Sequence, residues 1–562
     1  MAALFCCAAL PNLLLLGCSG SDSARSGSAG SSGSTGGAPP GFGGSRPEGG
    51  RSGAEAGGAP HTGGSSQRPG GSGTAGRAPS VGGSSDDSGG SGAAGAAGVA
   101  STSSAGGAAG AGHAGGAGAS HVADAGSSGV AGAGGVLDPE AFGDCTIRVS
   151  SIALSPEIAT VGILEWSADT EVSSAYVDFG RDPSRFEYRA PVNLQDADYR
   201  TLLLGMKPDT TYSYRIVVND GACGSAVDTV TTGSGPVGLG ATTVETTDAS
   251  KRSGDFVVTT IDTYAVVLDG DGDFVWWYEF EDATQDLSRA HMAADGNSMW
   301  ASHLNVAGGN GRFYRVGMDG QGGTETIEAD VHHDFCVLPS GGVAYIAFDT
   351  DGVGTCDSIT TRSDDGETTE IYRLRDDFEA LARSNGEWCH SNAIHYVPSE
   401  DAFYLSVLNQ NMVLKITRGG ELVWALASSE IEQEVPGVKY LLGASWPSRH
   451  HGHHLTDDGT LLLFDNGSSG FFESKSVARR FVLDEDSGTA TEIWSYSGQT
   501  GTAIMGDVQQ LSNGNVLVTY STAGVLDEAS PAGELVQSVK LSSRGFGYAD
   551  ARSSLYGPPD RW

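Results

Sequence analysis

The sequence predicts an all-β protein: a six-bladed β-propeller, preceded by a small β-sandwich and a disordered tether rich in Gly, Ser and Ala. Three observations predict it. A turn of the Asp-Gly or Ser-Gly kind opens a short strand at Gly296, Gly341, Glu400, Gly459 and Gly514, with spacings of 45, 59, 59 and 55 residues. Ahead of these, residues 144–233 read as short alternating strands separated by turn residues. Of the 85 glycines, 40 stand before residue 137, in sequence with no apolar period.

Residues 1–18, MAALFCCAALPNLLLLGC, form the first element. Their apolar segment, 10–16, is too short to span a bilayer and has the length of a signal-peptide core, although no Lys or Arg precedes it. Leu15, Leu16, Gly17 and Cys18 resemble a bacterial lipobox, which implies acylation at Cys18. The expectation is an exported lipoprotein of the outer membrane or cell surface, or otherwise a periplasmic or extracellular protein, with lipid as its link to the membrane. Residues 19–136 bury too little surface to offset chain entropy and are expected to be a flexible tether. The formal net charge of -37 favours solubility and argues against nucleic acid and acidic membrane surfaces as partners.

The sandwich, 144–233, contains the segments TIRVSSIAL, GILEWS, SAYVDFG, YRTLLLG, TYSYRIVV and AVDTVTTG, with Trp166 as its expected core anchor. Its MKPDTTY segment resembles the signature of fibronectin type III domains, with Tyr212 as the corner tyrosine; such modules act as spacers or binding platforms. Cys145 and Cys223 bracket this domain, and an oxidising compartment allows them to pair as a disulfide. Cys336, Cys356 and Cys389 remain in the propeller, so at least one of them is free or unusual.

The propeller covers 239–562. Each unit runs from its turn to a second strand with a recurrent aromatic position: Trp276 in DFVWWYEF, Trp424 in GELVWAL and Trp494 in TEIWSY. Five units and the opening segment from VVTTIDTYAVVLDG give six blades. Radial repetition places equivalent residues of different blades around one axis.

Eight of the 13 histidines gather just before the repeated turns: His332 and His333 in VHHDFCVLPSG, His390 and His395 in EWCHSNAIHY, and His450, His451, His453 and His454 in RHHGHHLTDDG. His333 and His451 each precede their turn glycine by eight residues, so both are expected to converge on the axis. Strand alternation puts His451 and His453 on one face, and His450 and His454 on the other. His291, His303 and His395 read as structural. Clusters placed by the repeat argue for a pocket.

These same segments resemble the arylsulfate sulfotransferases. HHDFCVLPSGG is similar to that family's HHD-x-x-x-L-P-x-G motif, EWCHSNAIHY to its D-W-x-H-x-N-S segment, and HHGHHLTDDGTLLLFDNG to its histidine segment ending in F-D-N-G. The resemblance covers about 240–562 and implies a six-bladed propeller that moves a sulfuryl group from a phenolic sulfate ester to a phenol, without a nucleotide sulfate. It implies His451 as the transiently sulfurylated nucleophile, His333 and His390 as catalytic partners, and Asn392, with His332, His450 and His453 near it, on the substrate. It implies no cofactor and no metal. A neutral imidazole attacks sulfur, a second exchanges the phenol proton, and amide and imidazolium donors stabilise the charge on the sulfuryl oxygens.

One departure stands out. The family places an arginine where Leu408 falls, and a missing cation there removes about 3 kcal/mol of transition-state stabilisation unless Arg449, Arg479 or Arg552 replaces it. Two other readings follow from the same residues. One is a catalytically degenerate propeller that binds a ligand or surface partner. The other is a metal site built from His451, His453, His333 and His390, with Cys336 or Cys389 joining.

Overall fold

The computed structural model describes residues 142–143, 145–305, 311–384, 386–431, 433–447, 449–467, 475–542 and 544–559. The signal segment, Cys18 and the 19–136 tether lie outside the described residues. What is described is all-β.

The N-terminal part has two sheets. One is three-stranded and joins Ile147–Leu154, Gly162–Ala168 and Thr201–Leu203. The other joins Tyr188–Pro191, Ala175–Gly180, Thr211–Val218 and Cys223–Gly224, with Asp228–Thr231 also paired to Thr211–Val218. Alternate residues of both enter one core, where Trp166 is fully buried among Leu164, Val177, Phe179, Leu203, Tyr214 and Ile216. The Tyr212 hydroxyl accepts a bond from Lys207 N at 2.9 Å, tying that strand to the chain before it. Cys145 and Cys223 are joined by a disulfide that closes 78 residues.

The repeat region builds antiparallel sheets in which each strand pairs with the next in sequence, as short turns require. Three have four strands and open at their inner edges with Asp550–Arg552, Leu287–Met292 and Val331–Val337. A nine-stranded sheet carries two such meanders, starting at Ser391–Val397 and His450–Leu455, joined at their outer edges by the parallel strand Tyr440–Gly443. A five-stranded sheet starts at Asp507–Gln510. The inner strands meet in succession, and Asp507–Gln510 meets Asp550–Arg552 and so returns to the beginning. The two ends of the region close the ring: Asp550–Arg552 completes the sheet of Phe256–Ile261, while Thr242–Thr246 adds to the outer edge of the five-stranded sheet.

The hairpin turns bear out their glycines' chemistry. Gly296, Gly341, Gly459 and Gly514 have φ between 75° and 86°, a region that costs glycine nothing, and Asp401 does the same work at φ 48° in the unit opened at Glu400. The recurrent tryptophans lie on outer strands, each beside a break in register: Trp276 opposite Val267, Trp424 opposite Lys415 and Trp494 opposite Arg480. An apolar cluster fills the space between each meander and its neighbour, as between Phe335, Val343, Phe313 and Trp300.

The N-terminal sheets dock on this ring. Ile158, Val161 and Leu204 enter one cluster with Phe256, Val258 and Trp276. Lys207 Nζ sits among Asp269, Asp271 and Asp273 at 2.8, 2.9 and 2.6 Å.

Candidate active site

Three inner strands carry a histidine within one residue of their start, and each has a break in register there. The breaks fall between Val331 and Phe335, between Ser391 and Ala393, and between His450 and His453. A bulge at each strand start turns a side chain out of the pleat and toward the axis. His333 and His390 have left-handed backbone, φ 58° and 55°, a conformation that costs a branched-ring residue of order 1 kcal/mol and is held here by the surrounding sheets.

The His333 and His390 rings meet edge to face, with centroids 4.7 Å apart. His451 Nδ1 lies 2.6 Å from Asn466 Oδ1. Asn466 Nδ2 donates to Thr502 O at 2.9 Å and Met505 O at 2.7 Å, which leaves Oδ1 to face the imidazole. An amide oxygen only accepts, so His451 Nδ1 carries the proton and the lone pair of the neutral ring lies on Nε2. Burial pushes the His451 pKa down to about 3, against the Asn466 bond and with help from the charges of His390 and Arg449. His333 is held well below the ordinary value by burial and by His390, His332 and His451, so the three rings share one electrostatic environment. His390 differs. Burial opposes its charge, but Glu387 Oε2, 2.8 Å from Nδ1, raises its pKa above the ordinary imidazole value.

The other residues named from sequence stand behind these rings. Asn392 Nδ2 donates to His450 O at 2.9 Å, and its Oδ1 accepts from Ser406 Oγ at 2.8 Å. His450 Nδ1 faces Ser406 Oγ at 2.6 Å, and Tyr548 donates to Asn392 O at 2.7 Å. His332 stacks on Phe348, with centroids 3.9 Å apart, and its Nδ1 lies 2.7 Å from His333 Nδ1. Asn392, His332 and His450 are fully buried. The expected shared face of His451 and His453 is corrected. The bulge separates them, and His453 Nε2 faces Tyr404 O at 3.1 Å instead. His453 and His395 line a separate axial cavity with His291, Cys336 and Asp550.

Sequence reasoning missed three features. Arg289 is buried at the ring's axis, where it pairs with Asp334 at 2.7 Å and Asp507 at 2.7 Å and donates to Ala549 O at 2.9 Å, drawing separate inner strands together. Asn466, the asparagine of the FDNG segment, is the residue that orients His451; its place in a motif was the available signal. The third is a disulfide between Cys356 and Cys389, which stand next to Asp357 and His390. Cys336 is the free, buried thiol. Cys389 is therefore unavailable to a metal.

Leu408 N donates to His390 O at 3.1 Å, so that position does border the site and brings no cation to it. Arg479 pairs with Asp465 and Glu492, and Arg552 donates to Ser554 O and Gly557 O. Of the three arginines, Arg449 is the one whose charge acts on both His390 and His451.

The arylsulfotransferase (ASST) family profile matches residues 241–544, which include all of these rings. The chain belongs to the arylsulfotransferase family. The arylsulfate sulfotransferase AssT of Lelliottia amnigena is 28% identical over 141 residues, 20% of this chain and 23% of that protein. The chain thus matches about a quarter of this curated relative's length. Among solved structures, virginiamycin B lyase of Staphylococcus aureus is 13% identical, with 53% of this chain and 88% of that one covered and a TM-score of 0.34. The periplasmic gluconolactonase of Pseudomonas aeruginosa is also 13% identical, with 53% and 98% covered and a TM-score of 0.33.

Proposed function

We propose that this arylsulfotransferase family member moves a sulfuryl group from a phenolic sulfate ester to a phenol, through a sulfohistidine at His451 and without a nucleotide sulfate. The observation that carries the reading is the hydrogen bond between His451 and Asn466. It supports a ring that is neutral and has its lone pair on a fixed nitrogen, as a nucleophile requires.

In the first half-reaction Nε2 of His451 attacks sulfur, the ester S–O bond breaks, and the departing phenolate takes a proton from His390. In the second, His390 takes the acceptor phenol's proton, its oxygen attacks sulfur and the N–S bond breaks. His451 returns to its starting form. Glu387 Oε2 orients His390 for both transfers. Arg449 supplies the cation that Leu408 does not, opposite the sulfuryl oxygens.

The ring of sheets is best read as a six-bladed propeller in which the nine-stranded sheet is two blades joined at their outer edges. The N-terminal sheets are best read as a fibronectin type III-like sandwich, with Tyr212 as its corner tyrosine. Export with a lipid on Cys18 and a flexible tether would complete the arrangement. The reading is tested by acceptor-dependent release of 4-nitrophenol from 4-nitrophenyl sulfate by the full chain, with His451→Ala alongside. Release that persists in the variant, or none from folded protein across several donors and acceptors, rejects it; the latter outcome would favour a binding role.

A further inference from the structure

His332, Asp357 and Glu387 each put one ligating atom within 4.8 Å of the other two. Each of them uses one polar atom toward a neighbour. His332 Nδ1 faces His333, Asp357 Oδ2 accepts from Ser391 N at 2.6 Å, and Glu387 Oε2 faces His390. The remaining atoms, His332 Nε2, Asp357 Oδ1 and Glu387 Oε1, are buried and have no hydrogen-bond partner. His332 Nε2 and Asp357 Oδ1 are 3.1 Å apart, yet not aligned as donor and acceptor. Both side chains are 0% exposed.

A buried polar atom without a partner costs about 1–3 kcal/mol, and more when it is charged. Three of them converging, two on carboxylates, form a dianionic donor set that calls for a cation. We propose that His332, Asp357 and Glu387 bind one divalent metal ion of the zinc and manganese class. An imidazole nitrogen with two carboxylate oxygens suits these ions better than calcium, which takes oxygen ligands in larger number. The separation of 3.1 Å is that of neighbouring ligands each about 2.0–2.2 Å from a shared ion. The Glu387 and His390 side chains, 21% and 19% exposed, leave a way in from the pocket.

The site lies immediately behind the pocket. Through His332 it grips His333, and through Glu387 it grips His390, so a bound ion holds both rings from the rear. The inference does not rest on the sulfuryl-transfer reading, because it is tested with no substrate present.

The test uses the full chain, stripped with a chelator, dialysed and titrated calorimetrically with zinc chloride alone and with manganese chloride alone. One ion per chain should bind at this site, and its affinity should fall at least about 100-fold in Glu387→Gln and in Asp357→Asn. Metal should raise the unfolding temperature of the parent and not of Glu387→Gln. Glu387 is partly exposed, so that variant keeps the fold, which circular dichroism verifies. Absence of saturable binding, or binding and thermal shift unchanged in Glu387→Gln, overturns the proposal.

Discussion

Asn466 Oδ1 lies 2.6 Å from His451 Nδ1, and the two carbonyls that hold Asn466 Nδ2 decide which end of the amide faces the ring. The tautomer of His451 is therefore set by Thr502 and Met505, on backbone outside its own strand. Asn466→Ala should lower kcat by about 100-fold or more while leaving KM within a few-fold, because the ring loses its orientation and not its contact with substrate. Steady-state kinetics with 4-nitrophenyl sulfate reads both terms. A rise in KM at constant kcat would instead place Asn466 in substrate binding.

Arg449 acts on His390 and His451 from the residue before His450, whereas the family's arginine position holds Leu408. Arg449→Ala should reduce kcat by about 100-fold, Arg449→Lys should restore part of it, and Arg479→Gln should leave the rate within a few-fold. Equal rates for Arg449→Ala and the parent would mean that no arginine takes the missing role.

The disulfide between Cys356 and Cys389 closes 33 residues and flanks both Asp357 and His390. Loss of it by Cys356→Ser should cost about 4 kcal/mol by the chain-entropy relation and should also lower turnover. Loss of the bond between Cys145 and Cys223, which lies in the N-terminal sheets, should destabilise those sheets and leave turnover unchanged. Denaturant unfolding paired with activity separates the two.

Acid should unfold the protein early. Burial holds His303 and His453 at pKa values of about 4, and His450 and His451 at about 3. Their unfolded value is near 6.5, so as pH falls below it the unfolded chain takes up protons that the folded chain does not. Stability should drop between about pH 6.5 and pH 4, by about 2 kcal/mol per such histidine on reaching pH 5. Urea midpoints at pH 7 and pH 5 measure this, and His303→Phe, remote from the pocket, should shallow the slope by one proton. A midpoint that is flat or rises on acidification would contradict the burial of these rings as neutral groups.

Much of this was legible in the sequence because the repeat imposes it. The turn glycines, the tryptophans of the outer strands and the offset shared by His333 and His451 follow from one unit recurring around an axis. What period two could not reveal is where a strand breaks register. The bulge from His450 to His453 parts His451 from His453, although alternation paired them, and the bulge before Ala393 helps to bury Asn392 against His450. Contacts between distant segments were equally hidden: Arg289 reaches Asp507 across 218 residues, and nothing local to either residue signals it. Cys356 and Cys389 were both visible as cysteines, but their pairing depended on a strand and a loop brought together by the fold.

The most direct measurement is peptide mass spectrometry on the full chain, quenched with base after brief exposure to 4-nitrophenyl sulfate in the absence of acceptor. The account predicts one sulfuryl group on the peptide containing residues 449–455, localised to His451, absent from His451→Ala and discharged when a phenol is added before the quench. Turnover with no modified histidine in the quenched parent protein, or a modification localised to His333 or His390, would contradict it.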